Sequence, residues 1–580
     1  VTPPAGFRGA FRDDAAARAV YAEAAGIAQL MPDAVAVPAD ADDVVTLVRW
    51  ADQTGTALIA RGSGSSMGGG AIGRGVIVDL GTLAERGPID VAARRCQVGP
   101  GVIAADVDRA ATAVGLRFPV DPSSWTFCTV GGMVATNAAG AHTFAFGPMR
   151  RWVTALDCVF ADGTRAVVRR GAPPPIGIPA VARLLADVGP SLAGSGRVGR
   201  VGVRKDSSGY GIDAYLASGD LVDLLVGSEG TLALFVGIEL ALAPRPAATA
   251  SLLAVFPSLA AAVAGTAAAR AAAETANRAA GDAVAGPVGG AVVACELLDR
   301  TFLDVAAAGG AGRRVPAGTE AALLIELEAG HAGDGDAEAA RCAVDAAASA
   351  LAAALRDAGA SGVDLALDPA AEEALWALRH AASPILARLD PSLKSMQFIE
   401  DGAVPPDRLA EYVLGVRAAL ERQGIRGVIF GHAGDAHVHV NPLIDVRQPD
   451  WRLRLDALLA DVTALTARLG GTLTGEHGDG RLRTPLMTAV WPAATLALFA
   501  AIKRAFDPRG ILNPGVKVPL AGQRAVGDVK YDPALAPLPD VARAVLARVE
   551  RERLYARGRL ALLAEAASPL PALSPAGRAP

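Results

Sequence analysis

Residues 61–73 read RGSGSSMGGGAIG and join two strand-like segments, ALIA and GVIVDL. Glycine reaches φ > 0 and admits close backbone approach, so successive amides of such a loop can face one anion. The flanks exclude two common phosphate loops. A Walker loop needs GK[ST] and a following helix. A dinucleotide fingerprint needs a helix opening on its third glycine, and that is missing too. The chain's literal GxGxxG, Gly194–Gly199 in GSGRVG, follows a helix-like segment and precedes none, so it reads as a plain loop.

Around the glycine loop the pattern is strand, helix, strand: AVAVPAD from Ala34, then DDVVTLVRWADQTG, then ALIA. Asp42 and Asp43 suit the first turn of the helix and Gly55 its end. The alternation runs to about Arg245 and predicts an α/β domain over 35–245. Residues 1–34 read as a helical segment. After the Pro-marked joint LAPRPAA, residues 246–518 read as a separate α+β lobe carrying AVVACELL, ALLIELEAG and an Ala-rich helix from Asp336. Residues 519–580 read as a C-terminal helix with a Pro/Ala/Ser tail expected to be disordered. The predicted class is therefore α+β in two large units, which 580 residues can supply with buried cores.

Composition excludes several function classes. A net charge of −5 makes no electrostatic case for nucleic acid. Five cysteines with no CxxC spacing argue against a disulfide framework or an iron–sulfur cluster and fit a reducing cytoplasm. No signal-peptide core is visible at the N-terminus. The uncharged stretch 246–269 contains Pro257 and Gly265 and is mostly alanine, so it reads as a buried strand and then a helix, not a membrane span.

Two further runs of small residues follow the glycine loop, PVDPSSWTFCTVGGMVATNAAGAHTFAFG (119–147) and LLVGSEGTLALFVGIEL (224–240). Short side chains let a planar ligand lie flat on the backbone. The three segments in this order resemble the vanillyl-alcohol-oxidase (PCMH-type) FAD-binding fold, in which two α/β subdomains clasp FAD. The similarity to its D-lactate, glycolate and D-2-hydroxyglutarate dehydrogenase branch covers about residues 35–518. It implies that Arg61, Gly62, Ser63, Gly64, Ser65 and Ser66 cradle the pyrophosphate. It also implies that Pro122, Ser123, Ser124, Gly131, Gly132, Thr136, Asn137 and Gly140 line the flavin and its ribityl chain, with Glu229 in the third segment. The glycine loop has no histidine to bond the flavin, so non-covalent FAD is expected.

Four of the seven histidines lie between 432 and 477. VIFGHAGDAHVHVNPLI reads as strand, turn and strand, and period two puts His437, His439 and Asn441 on one face. His432 sits at the bend. Glu476 and His477 lie in a glycine-flanked turn, GTLTGEHGDGRLR. Two imidazoles and a carboxylate with open positions suit a catalytic divalent metal: Zn as the leading expectation, with Mn or Fe(II) able to take the same ligands. The family pattern GHxGDxNxHxN…GEHG is matched by His432, His439 and Glu476 as metal ligands, His477 as general base and Asn441 beside flavin and substrate. His437 departs from it, standing where relatives carry Asn. It is left open as an extra ligand, a partner of a ligand, or a proton relay.

An acid substrate needs fixed cations. In LWALRHAASPILARLDPSLKSMQF the resemblance assigns the substrate carboxylates to Arg379 and Lys394, with Ser383 as a nearby hydroxyl; Lys205 in RKDSSGYG is a weaker candidate. The implied reaction is oxidation of a small (R)-2-hydroxy acid, with a separate electron acceptor: an iron–sulfur or cytochrome protein, a quinone, or an electron-transfer flavoprotein. Two rivals stand beside it, a non-redox transferase of the alkylglycerone-phosphate synthase type and a non-catalytic flavin subunit of a dehydrogenase complex.

Overall fold

The computed structural model describes residues 2–280, 289–308, 315–331, 336–386 and 392–567; the side chains of 276–280 and 380–386 are outside that description. The predicted strand–helix–strand opens a four-stranded sheet. Its strands are ordered Ala10–Arg12, Ala34–Val37, Val76–Asp79 and Leu58–Arg61, and the last three run parallel. The helix Ala41–Thr54 connects two of them. Asp40 caps its start by accepting from the amides of Asp42 and Asp43, and Gly55 at φ +72° ends it. The glycine loop leaves the C-terminal end of the strand Leu58–Arg61, the end where parallel sheets place ligands.

Residues 1–34 correct one expectation. They hold the short strand Ala10–Arg12 and a single five-residue helix, Ala15–Ala19. The alanine run does form that helix, buried against the sheet, but it is short because Ala10–Arg12 before it gains pairing with Ala34–Val37. The C-terminal reading is also modified. Two helices, Asp540–Glu552 and Arg559–Ala567, replace one, and the break falls at Arg553, which takes φ +54°. The tail from 568 on lies outside the described residues.

A second sheet of five antiparallel strands follows, with Leu234–Ala241 between Arg95–Val98 and Val153–Val159. The helix Val130–Thr136, capped by Thr129, carries the second small-residue run to the glycine loop. The approach is so close that a Cβ on Gly62 would lie 2.1 Å from the Thr129 hydroxyl.

The second lobe is built on an eight-stranded antiparallel sheet. Its central strand Ala291–Asp299 is buried at every position, which explains its near-continuous apolar sequence. The helices Leu259–Ala280 and Ala337–Asp357 cover one face, and Arg300–Ala308 and Pro369–Leu386 the other. The uncharged stretch 246–269 is, as expected, a strand (Pro246–Phe256) and the start of a helix. Among the described residues no helix is long and apolar enough to cross a membrane.

The lobes are joined by a buried ion pair. Arg117 from the first domain reaches both carboxylate oxygens of Glu328 in the second lobe's eight-stranded sheet at 2.5 Å, and Glu328 is 1% exposed. Removing one partner strands a buried charge. Arg117→Ala is therefore expected to lower stability by about 3–5 kcal/mol, measured by denaturant unfolding of the full chain; a loss within the ordinary surface range of about 0.5 kcal/mol would contradict it.

Candidate active site

A cavity of about 930 Å³ lies between the two lobes. Arg61, Gly62, Ser63, Gly64, Ser65 and Ser66 form one part of its wall, and Pro122, Ser123, Ser124, Gly131, Gly132, Thr136 and Glu229 another. Arg61 is 2% exposed, and its Nη2, like the Ser66 hydroxyl, has no hydrogen-bond partner. A buried guanidinium donor without a partner is costly, and an anionic ligand at the loop would satisfy it. That chemistry fits a diphosphate, so these residues fit FAD.

Three expected cofactor residues also make contacts within the protein. Asn137 ends the helix Val130–Thr136 at φ +53°, and its side-chain oxygen accepts from the Arg150 amide at 2.9 Å. Gly140 accepts from Lys205 Nζ at 2.8 Å through its carbonyl. Neither is on the cavity wall. Glu229 is on the wall, yet its carboxylate accepts from the amides of Asp479 and Gly480 and pairs with Lys517 at 3.0 Å. It pins the GEHGDG turn in place.

The opposite end of the cavity gathers the histidines. The strands Arg426–Gly431 and His437–Asp445 form the expected hairpin, with a short 3-10 turn at Ala433–Asp435. His432 Nε2 lies 3.4 Å from His439 Nε2. Glu476 Oε1 is 3.4 Å from the first and 3.3 Å from the second. Donor atoms about 2.0–2.1 Å from one tetrahedral ion are separated by about 3.3–3.4 Å. The triangle therefore fits a divalent metal without rearrangement.

The outer partners hold that triangle. His432 Nδ1 meets Glu296 at 2.6 Å, and His439 Nδ1 meets the Glu400 carbonyl at 2.9 Å. Each contact directs the remaining nitrogen inward, as metal-binding imidazoles require. Lys205, fully buried, takes Glu476 Oε2 at 3.3 Å and leaves Oε1 facing the imidazoles. Lys205 is absent from the cavity wall, so its weaker assignment to substrate is replaced by this contact. Burial disfavours the Glu476 carboxylate, but Lys205 and His432 outweigh it and hold the group well below the usual range.

His437 shares the strand face with His439 and Asn441, but only those two reach the cavity. Its Nε2 meets Asp401 at 2.9 Å, and burial pushes the imidazole down to about 4, so it is neutral. His477 lies on the wall, stacked on His439 with ring centroids 5.5 Å apart. Its Nδ1 is 3.2 Å from Glu400 Oε1. Burial disfavours its cation, but Asp401 and Glu400 prevail and raise it to about 9. Glu476 adds to that rise. A divalent cation on Glu476 would oppose it and favour the neutral ring that a base requires.

Comparison with known proteins gives this geometry a lineage. Residues 32–169 match the model for the FAD binding domain, and 245–516 match that for the C-terminal domain of FAD linked oxidases. The chain is 30% identical over 512 residues to glycolate oxidase subunit GlcD of Bacillus subtilis (strain 168), covering 87% of this chain and 93% of that one. The chain belongs to the FAD-linked oxidase family. It is an FAD-dependent oxidoreductase of the branch whose named members include glycolate oxidase subunits, a D-lactate dehydrogenase and D-2-hydroxyglutarate dehydrogenases. The D-2-hydroxyglutarate dehydrogenase of Escherichia coli (strain K12) is 26% identical over 89% of this chain, which spans 51% of that longer protein. The solved 4-ethylphenol oxidase from Gulosibacter chungangensis shares the fold, with a TM-score of 0.62 at 16% identity over 88% of this chain and 94% of that one.

In this FAD-linked oxidase, Arg379, Lys394 and Asn441 all lie on the cavity wall with the histidines. Arg379 Nε is already paired with Glu296 at 2.8 Å, and its guanidinium lies over the Phe430 ring. Ser383 falls in a helical stretch whose side chains lie outside those described. Sequence reading missed Glu296, Glu400 and Asp401. Glu296 had a signal, a carboxylate in the middle of the apolar strand AVVACELLD, whose other acid, Asp299, stands at its end. Burying a charge there requires partners, here His432 and Arg379.

Proposed function

We propose that this FAD-linked oxidase oxidises a small (R)-2-hydroxy acid to the 2-oxo acid. The observation that carries the reading is the meeting of His432 Nε2, His439 Nε2 and Glu476 Oε1 within 3.4 Å, at the wall of the cavity that the glycine loop also lines. His432, His439 and Glu476 hold a divalent metal, Zn as the leading candidate. When bound, the metal acidifies a coordinated hydroxyl and FAD accepts a hydride.

The chain's own groups do the rest. His477 accepts the hydroxyl proton, and Glu400 on its Nδ1 fixes which nitrogen faces the substrate. Asn441 provides a polar contact on the same wall. Arg379 and Lys394 bind carboxylate and orient the C2–H bond, a positioning contribution. Arg379 already carries one ion pair, so Lys394 is assigned the second carboxylate of a dicarboxylate substrate. Electrons then leave to a separate acceptor protein or quinone.

Substrate class is tested by comparing glycolate, D-lactate and D-2-hydroxyglutarate in parent and Lys394→Ala protein. A hydrogen bond to a charged group is worth about 1.5–3 kcal/mol. The variant is therefore expected to lose at least about tenfold in kcat/KM for the dicarboxylate and little for glycolate. Equal losses on all three acids would remove Lys394 from substrate selection. Oxidation of L-2-hydroxy acids in preference to D would overturn the stereochemical reading.

A further inference from the structure

The described chain continues to residue 567, about fifty residues past the second family match. That stretch returns to the first sheet. Leu538, Val545, Val549 and Leu562 share a core with Tyr21, Val35, Ile59 and Ile77. Val529 bridges Ala28, and the Lys530 amide donates to the Ile27 carbonyl at 2.8 Å. The segment is therefore seated on the sheet from which the glycine loop leaves.

Its side chains then reach the cofactor cavity. Tyr531, Glu550, Arg551, Arg553 and Tyr555 all line it. The Tyr555 ring stacks on Phe127, centroids 5.2 Å apart, and the Arg553 guanidinium lies 4.8 Å from the same Phe127 ring. Phe127 itself follows the Pro122–Ser124 stretch and lies on the wall. Behind the glycine loop, Arg559 is 3% exposed and donates to the Ser63 carbonyl at 3.2 Å. Its other contacts are the carbonyls of Leu554 and Arg557 and the Tyr555 ring, 5.5 Å from its guanidinium, and its Nε has no partner. Burial and the nearby Arg61 push Arg559 down to about 10. Two buried guanidiniums flank one loop, each with an unsatisfied N–H, and an anion bound at the loop would offset their mutual repulsion. Cations and an aromatic ring together recognise a nucleotide, the cations its phosphates and the ring its base.

We propose that the segment 526–567 is an integral wall of the FAD site, in which Arg559 holds the glycine loop from behind while Arg553 and Tyr555 close over the adenosine diphosphate half of the cofactor. The proposal rests on the FAD reading and assigns the segment a role beyond both family matches. Arg559 is a positioning residue, since it acts through the loop carbonyl. Arg553 and Tyr555 are binding residues.

The test is FAD and FMN binding by the full chain, followed by flavin fluorescence, for the parent and for Arg553→Ala, Tyr555→Ala and Arg559→Lys. FMN lacks the adenosine half. The expected result is FAD affinity about tenfold weaker in Arg553→Ala and Tyr555→Ala, with FMN affinity unchanged. Arg559→Lys keeps the charge but loses the forked donor, and is expected to fall between parent and alanine variants. Thermal midpoints of the flavin-free proteins check that the shared core is intact. FAD affinity within about twofold of the parent in all three would overturn the proposal. So would an equal loss of FMN and FAD, because the segment would then only support the fold. A parent chain that binds neither flavin would instead overturn the FAD reading on which the proposal stands.

Discussion

His477→Ala protein is expected to lose about 10²–10⁴-fold in turnover while keeping its FAD, the range typical of a positioned general base. His477 is on the cavity wall, its ring stacks on His439, and its Nδ1 is taken by Glu400. None of its contacts reaches the glycine loop, so flavin content measured by absorbance should match the parent. The same substitution leaves Glu400 paired with Arg483, which limits the structural damage. A His477→Ala enzyme that turns over at near-parent rate would remove the residue from the reaction. One that fails to retain FAD would place it in cofactor binding instead.

Glu476→Gln is expected to lose the metal. The amide removes the only anion of the donor triangle and the negative charge 3.3 Å from the fully buried Lys205, which keeps the Gly140 carbonyl at 2.8 Å. The fall in metal affinity should exceed the roughly 10–100-fold that follows loss of an outer-shell partner. Glu296→Gln supplies that smaller comparison, because Glu296 touches His432 on the side away from the triangle. Metal content after dialysis, measured by mass spectrometry, gives the order: parent, then Glu296→Gln, then Glu476→Gln. Equal metal in parent and Glu476→Gln would contradict the assigned ligand set.

The donor triangle was legible in the sequence for a physical reason. A strand has period two, so His439 and Asn441 had to share a face, and the hairpin bend could turn His432 toward it. The glycines around Glu476 marked a turn where backbone can approach closely. The supporting carboxylates were not legible in the same way. Glu296 and His432 are 136 residues apart, and Asp401 and His437 are 36 apart, so only the sheet register brings them together. Asn137 and Gly140 sit in the right small-residue run, but the Asn137 side-chain oxygen accepts from the Arg150 amide and the Gly140 carbonyl from Lys205. At the N-terminus the alanine run Ala15–Ala19 is helical as read, but Ala10–Arg12 just before it pairs with Ala34–Val37 as a strand, a partner that local composition does not reveal. The helices beyond Pro539 carried apolar spacing, yet nothing in that spacing showed that their far ends meet the glycine loop.

The most direct measurement mixes the FAD-loaded protein anaerobically with D-2-hydroxy acids before and after chelation and follows the flavin's visible absorbance. If His432, His439 and Glu476 present a metal to the substrate hydroxyl, one of these acids bleaches the flavin, chelation slows the bleaching by orders of magnitude, and added Zn²⁺ or Mn²⁺ restores it. Bleaching at the same rate in metal-stripped protein, or none with any D-2-hydroxy acid, would contradict that chemistry.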